Sequence, residues 1–237
     1  RCLKPDNLLA AGAPAKYPHF LNAPAEYNIG LIDLETAVDI KPGRHAAISQ
    51  PMLAGTWYYA TPYHFAPNHI LSRLFTDLAR SFYLQDWYAM LAVIFETITG
   101  KYLFSKTGQL AMSQIQQITG SEAAPEELPE VYRRAGNAFL AAAAAELGDK
   151  CRANAALLGD VETDIPRSFR RRLRDELEIT ARILGRRVSE ASGPDEGQSD
   201  MGRAVRYMKR LETAAERYPA DESIEMMFLV ISHGLRD

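Results

Sequence analysis

Residues 86–100 read DWYAMLAVIFETITG, and this stretch decides the fold of the chain. Its side chains are apolar almost all the way round a helical circumference, which is typical of a helix buried in the middle of a core. Gly100 suits the end of this helix, because glycine adopts the left-handed conformation there without steric cost. The stretch therefore predicts a buried central helix that ends before Gly100.

Helical patterns also occur on both sides of this stretch. Residues 69–83 carry apolar side chains at helical spacing, which marks one buried face; these are Ile70, Leu71, Leu74, Phe75, Leu78 and Phe82. Further helices are expected at 125–147, 166–187, about 203–217 and about 221–233. The polar, glycine-containing run that ends at residue 202 is typical of a linker or loop.

The first 53 residues lack this helical pattern, and short strands and loops are expected there. Residues 28–40, NIGLIDLETAVDI, combine β-branched and apolar residues as a buried strand does. The preceding residues 10–27 are rich in proline and alanine and are expected to form an extended connection. The predicted fold class is therefore mainly α, with short β-hairpins near the N-terminus followed by further helices.

The composition is ordinary for a soluble globular protein, with 47% hydrophobic residues and a formal net charge of -3. This charge gives no overall basic field, so no nucleic-acid partner is expected. The two cysteines, Cys2 and Cys151, exclude a disulfide framework and favour a reducing, cytoplasmic location. The longest apolar runs, 138–145 and 226–231, are far shorter than the ~20 residues that span a bilayer, so no membrane span is expected.

Four short motifs follow one another along the chain. They are RCLKPDNLL (1–9), GLIDLE (30–35), GTWYYATP (55–62) and DWYAMLAVIFETITGKYLF (86–104). In this order they resemble the C-terminal, helical lobe of a Ser/Thr protein kinase. That family spells the segments R-x-L-K-P-D-N, D-F-G, G-T-x-x-Y-x-A-P-E and D-x-W-S-L-G-x-x-x-Y-E-x-x-T-G-x-x-P-F.

The resemblance implies a role for each matching residue. Phosphoryl transfer needs a divalent metal held by hard oxygen ligands, which would be Asn7 and Asp33. Cys2 stands at the position of the catalytic-base aspartate, and Lys4 matches the lysine that approaches the transferred phosphoryl group. The structural matches in the loop, the activation segment and the central helix are Arg1, Thr56, Pro62 and Asp86. Asp86 would accept backbone hydrogen bonds from the catalytic loop.

The implied activity is ATP- and Mg-dependent Ser/Thr phosphotransfer, with a nucleotide and a protein substrate or partner as ligands. Binding of ATP and Mg would require the family's N-terminal lobe, which is expected upstream of Arg1. The implied organisation is a kinase-like lobe over 1–187, recognisable to residue 104 and diverged over 105–187. A linker over 188–202 and a helical appendage over 203–237 would follow.

Departures from the family pattern predict impaired catalysis. Cys2 replaces the base aspartate, Leu34 and Glu35 replace the Phe and Gly of D-F-G, and Tyr63 replaces the glutamate of A-P-E. A thiol near its reference pKa of ~8.5 is mostly neutral at pH 7 and accepts a hydrogen bond poorly. Cys2 is then an inert residue of a decayed site, or a thiolate activated by Lys4. The chain is accordingly an impaired kinase-like enzyme or a pseudokinase that acts as a binding and scaffolding module.

The spacing of the motifs departs from the family as well. Asn7 and Asp33 lie 26 positions apart, about twice the usual separation, so the hairpin between them requires an insertion. The proline- and alanine-rich stretch is the expected place for it.

Residues 167–187 carry eight arginines against Asp175, Glu176 and Glu178. Such a segment presents a face to nucleic acid or an acidic partner, or it is a solvated amphipathic helix with internal ion pairs. The solvated helix is the commoner case.

Overall fold

The computed structural model describes residues 3–11, 28–35, 37–41, 47–190, 196–213 and 217–236. Within these residues the chain is mainly helical, as predicted, with two small antiparallel sheets. The strands are β1 (Leu8–Ala11), β2 (Asn28–Leu31), β3 (Glu162–Asp164) and β4 (Arg217–Pro219). The helices are α1 (Asn68–Leu74), α2 (Leu78–Thr99), α3 (Ser105–Thr119), α4 (Leu128–Ala153), α5 (Ala155–Asp160), α6 (Arg167–Glu190), α7 (Glu196–Glu212) and α8 (Ala220–Gly234).

The long helix α2 is buried, as its all-round apolar pattern predicted. Phe95 is fully buried, and Tyr88 stacks on Phe104 and contacts Phe139, with ring centroids 4.5 and 5.4 Å away. The helix ends where predicted, because Gly100 has a φ of 67°, in the left-handed region that glycine tolerates. Each aromatic or aliphatic side chain of this size contributes about 1.5–3 kcal/mol when buried, so α2 anchors the core.

The single helix predicted at 69–83 is divided into two. α1 ends at Leu74, and α2 begins at Leu78. The side chain of Asp77 accepts a hydrogen bond from the backbone N–H of Arg80 at 2.9 Å, which satisfies a free donor in the first turn of α2. This N-cap starts a new helix after the break.

Glu146 on α4 supports the start of α3. Its Oε1 accepts hydrogen bonds from the Lys106 backbone N–H and the Ser105 hydroxyl, both at 3.0 Å. Its Oε2 accepts hydrogen bonds from the Thr107 N–H at 2.8 Å and the Thr107 hydroxyl at 2.7 Å. Since a helix leaves its first N–H groups without partners, the carboxylate acts as an N-cap supplied by another helix.

The strands β1 and β2 form an antiparallel hairpin near the N-terminus, in which Leu8 is paired with Leu31. The strand predicted over 28–40 is shorter, because the backbone at Asp33 has a φ of 59°, a left-handed conformation that a strand does not contain. The insertion expected between the two strands falls on residues 12–27, which lie outside the described residues.

The linker expected over 188–202 is helical wherever it is described. α6 and α7 pack side by side. The contact buries apolar side chains of both helices, namely Leu177 and Leu184 on α6 and Ala204 and Leu211 on α7. Each helix has an apolar face at helical spacing, so pairing the two faces removes both from water. The glycine and serine content predicted a loop, and the packing of these faces overrides it.

The segment expected as an appendage, 203–237, shares the core of α2. On α8, Ile231 is fully buried, and a Cβ added at Gly234 would lie 2.5 Å from Cδ1 of Leu84 on α2. The start of α8 is held by the β3–β4 sheet and by a hydrogen bond from the Ala220 N–H to the Val161 carbonyl at 2.9 Å. α8 is apolar on nearly all sides and is stable only when it is covered on all of them.

Among the described residues, none of the helices has the length and apolar character required to cross a membrane.

Candidate functional site

The two predicted metal ligands meet at the open end of the N-terminal hairpin. Asn7 precedes β1 and Asp33 follows β2, so the pairing of these strands brings residues 26 positions apart into contact. The Asn7 side-chain amide donates a hydrogen bond through Nδ2 to Oδ2 of Asp33 at 3.3 Å. The hairpin therefore places an amide and a carboxylate next to each other.

The backbone around Asn7 is well defined. Pro5, Asp6 and Asn7 form one 3₁₀ turn, with the proline at a position where its fixed φ and missing N–H are compatible with a helix start. The Asn7 N–H donates to the Lys4 carbonyl at 3.0 Å, and the Asn7 carbonyl accepts from the Ile32 N–H at 3.0 Å. The second bond extends the hairpin by one residue and ties the turn to the segment that carries Asp33.

Asp33 has an unusual conformation for a residue other than glycine. Its φ of 59° lies in the left-handed region, which aspartate tolerates better than most residues. Residues held in such conformations occur preferentially at functional sites. The conformation turns the chain sharply after β2 and leaves Asp33 exposed beside the buried Asn7.

The Asn7–Asp33 pair suits a magnesium ion that also binds a phosphate-bearing ligand. Carboxylate and amide oxygens are hard donors, and a half-turn of the Asn7 amide would present its oxygen. Within the described ranges, no group of three or more His, Cys, Asp or Glu side chains could hold a metal. Mg²⁺ commonly takes one or two protein ligands and completes its octahedron with phosphate oxygens and water. The two side chains fit that mode of binding.

Of the other residues predicted in or beside the catalytic loop, the structure describes Lys4 and Asp86. Lys4 is half-buried, and its side chain makes no ion pair with another described residue. Arg1 and Cys2 lie outside the described residues. Asp86 is exposed and lies within α2, rather than at its first turn. The hydrogen bonds predicted between Asp86 and the loop stay a prediction.

The segment GTWYYATP forms two consecutive 3₁₀ turns. Thr56 precedes the first turn, Trp57–Tyr59, and its carbonyl accepts the Tyr59 N–H at 2.8 Å. Pro62 is buried and begins the second turn, Pro62–Phe65, where the Thr61 N–H donates to Nδ1 of His64 at 3.1 Å. Both residues therefore lie at the starts of turns, and their predicted role in an activation segment stays a prediction.

Tyr59 joins this segment to the central helix. Its hydroxyl donates a hydrogen bond to the Glu96 carboxylate on α2. Burial and this hydrogen bond raise the pKa of Tyr59 above its ordinary value, so the phenol stays protonated and remains a donor. Both residues belong to the quoted motifs, but their spacing of 37 positions gave no sign that they pair.

Tyr63 occupies the position at which the kinase pattern has an ion-paired glutamate. It is buried, and its ring meets the Phe75 ring edge-on at a centroid distance of 5.0 Å. The phenol also fills the space that a side chain at Gly136 on α4 would need. Burial raises the pKa of the Tyr63 hydroxyl and keeps it neutral. Aromatic packing thus anchors the segment where the pattern has a charge pair.

A second polar cluster, which the sequence did not predict, lies far along the chain. His233 Nε2 donates to Asp200 at 2.8 Å, and Arg203 pairs with the same carboxylate. Burial opposes ionisation, but the hydrogen bonds from His233 and Arg203 outweigh it and lower the pKa of Asp200 to about 2. The cluster lines a cavity of about 360 Å³ between α4, α7 and α8. The contacts of Asp200 with Arg203 and His233 join α7 to α8, whereas Nε of Arg203 is buried without a hydrogen-bond partner among the described residues.

Comparison with known proteins gave no match. No protein-family model, no curated protein and no solved structure is significantly similar to this chain.

Proposed function

We propose that this chain is protein-kinase-like, that it binds Mg-ATP through Asn7 and Asp33, and that its phosphotransfer is impaired. The observation that carries the proposal is the hydrogen bond between these two side chains. The two residues stand in separate motifs of the sequence. The number of positions between them is about twice that usual in the family. An antiparallel hairpin brings the two motifs together although 26 positions separate the residues.

The chemistry of the pair supports the nucleotide. The ATP phosphates supply the oxygen ligands that Asn7 and Asp33 lack, and Mg²⁺ neutralises part of the phosphate charge. Lys4, which directly precedes the turn that holds Asn7, supplies a positive charge for the transferred phosphoryl group. A site with two protein ligands binds the metal weakly without the nucleotide.

Residue replacements support impaired transfer. The base position carries Cys2, whose neutral thiol orients a substrate hydroxyl and takes its proton less well than a carboxylate. Glu35, two residues after Asp33, stands where the family has a glycine, and it adds negative charge beside the phosphates. Positioning and electrostatic stabilisation remain, so the expected activity is weak.

The alternative is a pseudokinase that serves as a binding and scaffolding module without phosphotransfer. The burial of Tyr63 against Gly136 favours it, because the activation segment is fixed by packing without the family's ion pair. A segment fixed in this way holds a constant surface for a partner. The two proposals share the fold and differ in whether any phosphate is transferred.

A phosphotransfer assay distinguishes them. The full-length protein is incubated with Mg²⁺, γ-labelled ATP and a generic Ser/Thr protein substrate. We expect weak labelling that Asp33→Asn abolishes and that Cys2→Asp raises by about 100-fold, the usual contribution of a general base. Strong labelling by the unaltered protein would contradict the impairment. Absence of labelling in both the unaltered protein and Cys2→Asp would favour the pseudokinase that acts as a scaffolding module.

A further inference from the structure

An arginine-lined pocket lies at the N-terminal end of α6, remote in sequence from the Asn7–Asp33 pair. It has a volume of about 470 Å³ and is closed on one side by the end of α7. We call it the α6 pocket; its charged lining consists of Arg167, Arg170, Arg171, Arg174 and Glu212. Four guanidinium groups thus share the pocket with a single carboxylate.

Several arginines elsewhere in the molecule are paired with carboxylates. Arg80 contacts Glu176 at 3.0 Å, and Arg210 contacts Glu222 at 2.6 Å. In the α6 pocket, by contrast, Arg167 has no ion pair with a described residue.

Two further arginines of the pocket add to the surplus of positive charge. Arg171 likewise lacks an ion pair among the described residues, and Arg174 has only an exposed contact with Asp175 at 3.5 Å. Exposed pairs of that kind are worth about 0–1 kcal/mol. Gathering several guanidinium groups in one concavity is unfavourable unless an anion is bound there, because like charges repel.

We propose that the α6 pocket binds an acidic segment of a partner protein. The planar guanidinium group donates two parallel hydrogen bonds to a carboxylate, so several arginines around one concavity suit successive Asp or Glu side chains. The positive end of the α6 dipole lies at the same place and adds to the attraction. This inference is independent of the nucleotide proposal.

Nucleic acid fits the pocket less well. The chain as a whole has a net charge of -3, and a nucleic-acid surface is normally a long basic stripe. Single-stranded binding also uses exposed aromatic rings for base stacking, and the described residues that line this pocket include no aromatic side chain. The nearby Phe169 ring is engaged with Trp87, at a centroid distance of 5.2 Å.

The test measures fluorescence anisotropy of a labelled peptide of about ten residues rich in Glu and Gly, at low ionic strength where such contacts are strongest. We expect Arg167→Glu/Arg171→Glu to weaken binding by about tenfold or more, and added salt to weaken it in the unaltered chain. The matched control is Arg134→Glu/Arg152→Glu, the same charge change at exposed arginines of α4 outside this pocket. It should alter binding by less than about twofold.

A second variant, Arg167→Gln/Arg171→Gln, removes the charges without reversing them and should weaken binding in the same direction. Circular dichroism confirms that each variant is folded. Equal weakening in the pocket and control variants would show a response to net charge alone and overturn the proposal. Absence of peptide binding, or tighter binding of a single-stranded oligonucleotide that depends on Arg167 and Arg171, would overturn it as well.

Discussion

At the residue scale, Glu146 shows how a buried charge is stabilised in this molecule. Its carboxylate accepts four hydrogen bonds from the first residues of α3. In Glu146→Gln, the amide nitrogen faces donors and leaves them unsatisfied. We expect the free energy of unfolding at pH 7 to fall by about 2 kcal/mol, measured by urea denaturation. The exposed Glu130 on the same helix serves as the control, and Glu130→Gln should change stability by less than about 0.5 kcal/mol.

The same carboxylate predicts a pH dependence. Burial favours the neutral form, but the hydrogen bonds from Lys106 and Thr107 outweigh it and lower the pKa of Glu146 below its ordinary 4.5. A lowered folded-state pKa gives stability that is complete above the unfolded pKa and is lost as the pH falls through the folded value. The stability difference between the unaltered chain and Glu146→Gln should therefore shrink below about pH 4. A constant difference down to about pH 3 would rule out ionisation as its source.

The sequence predicted the contacts of some residues and not those of others. Asn7 and Asp33 could be selected because each stands in a recognisable motif, yet the left-handed backbone at Asp33 was not predicted. Glu146 could not be selected, because its partners lie about 40 positions away and nothing in its Ala-rich surroundings marks it. Contacts of this kind depend on how helices pack, which local spacing does not encode.

At the scale of elements, α4 contains two glycines with opposite surroundings. At Gly136 an added methyl would overlap the Tyr63 phenol, whereas at Gly148 it would only approach the flexible end of Arg152 at 3.4 Å. We expect Gly136→Ala to lower the free energy of unfolding by about 1–3 kcal/mol through overpacking. Gly148→Ala should raise it by about 0.5–1 kcal/mol, because alanine favours the helix.

Thermal and urea unfolding of the two variants measure this difference. A stabilising Gly136→Ala would contradict the packing of Tyr63 against α4, which holds the turn Pro62–Phe65 in place. Gly148→Ala shows how far helix propensity alone changes stability.

The positions of helices were predicted correctly where apolar spacing was the only strong signal. They were missed where apolar spacing and another signal, such as a helix cap or a loop-like composition, pointed to different structures. The apolar run 86–99 gave a buried helix with the right end. The break before α2 was missed, since the apolar spacing continues through Phe75 and only the Asp77 cap interrupts it. The composition of 189–202 suggested a loop, but the apolar faces of α6 and α7 favoured helix.

At the scale of the whole molecule, the first and last helices share one core. Ile231 on α8 is fully buried, and both tryptophans, Trp57 and Trp87, lie in the first half of the chain. We expect Ile231→Ala to lower the stability reported by tryptophan fluorescence by about 2–5 kcal/mol. The control Val205→Ala, at a side chain 38% exposed, should change it by less than about 0.5 kcal/mol. An unchanged tryptophan transition would mean that α8 unfolds separately.

The central claim is that Asn7 and Asp33 together hold the metal of a metal-nucleotide complex. Paramagnetic line broadening tests it most directly, with Mn²⁺ in place of Mg²⁺ and ATP in excess, because it detects weak sites. In the full-length protein, which the phosphotransfer assay also uses, we expect Mn-ATP to broaden the Asn7 side-chain amide and the amides next to Asp33. Asp33→Asn, which keeps a residue tolerant of the left-handed backbone, should abolish the broadening, while the neighbouring Glu35→Gln should preserve it. Broadening that is absent from the unaltered chain, or that persists in Asp33→Asn, would contradict the claim.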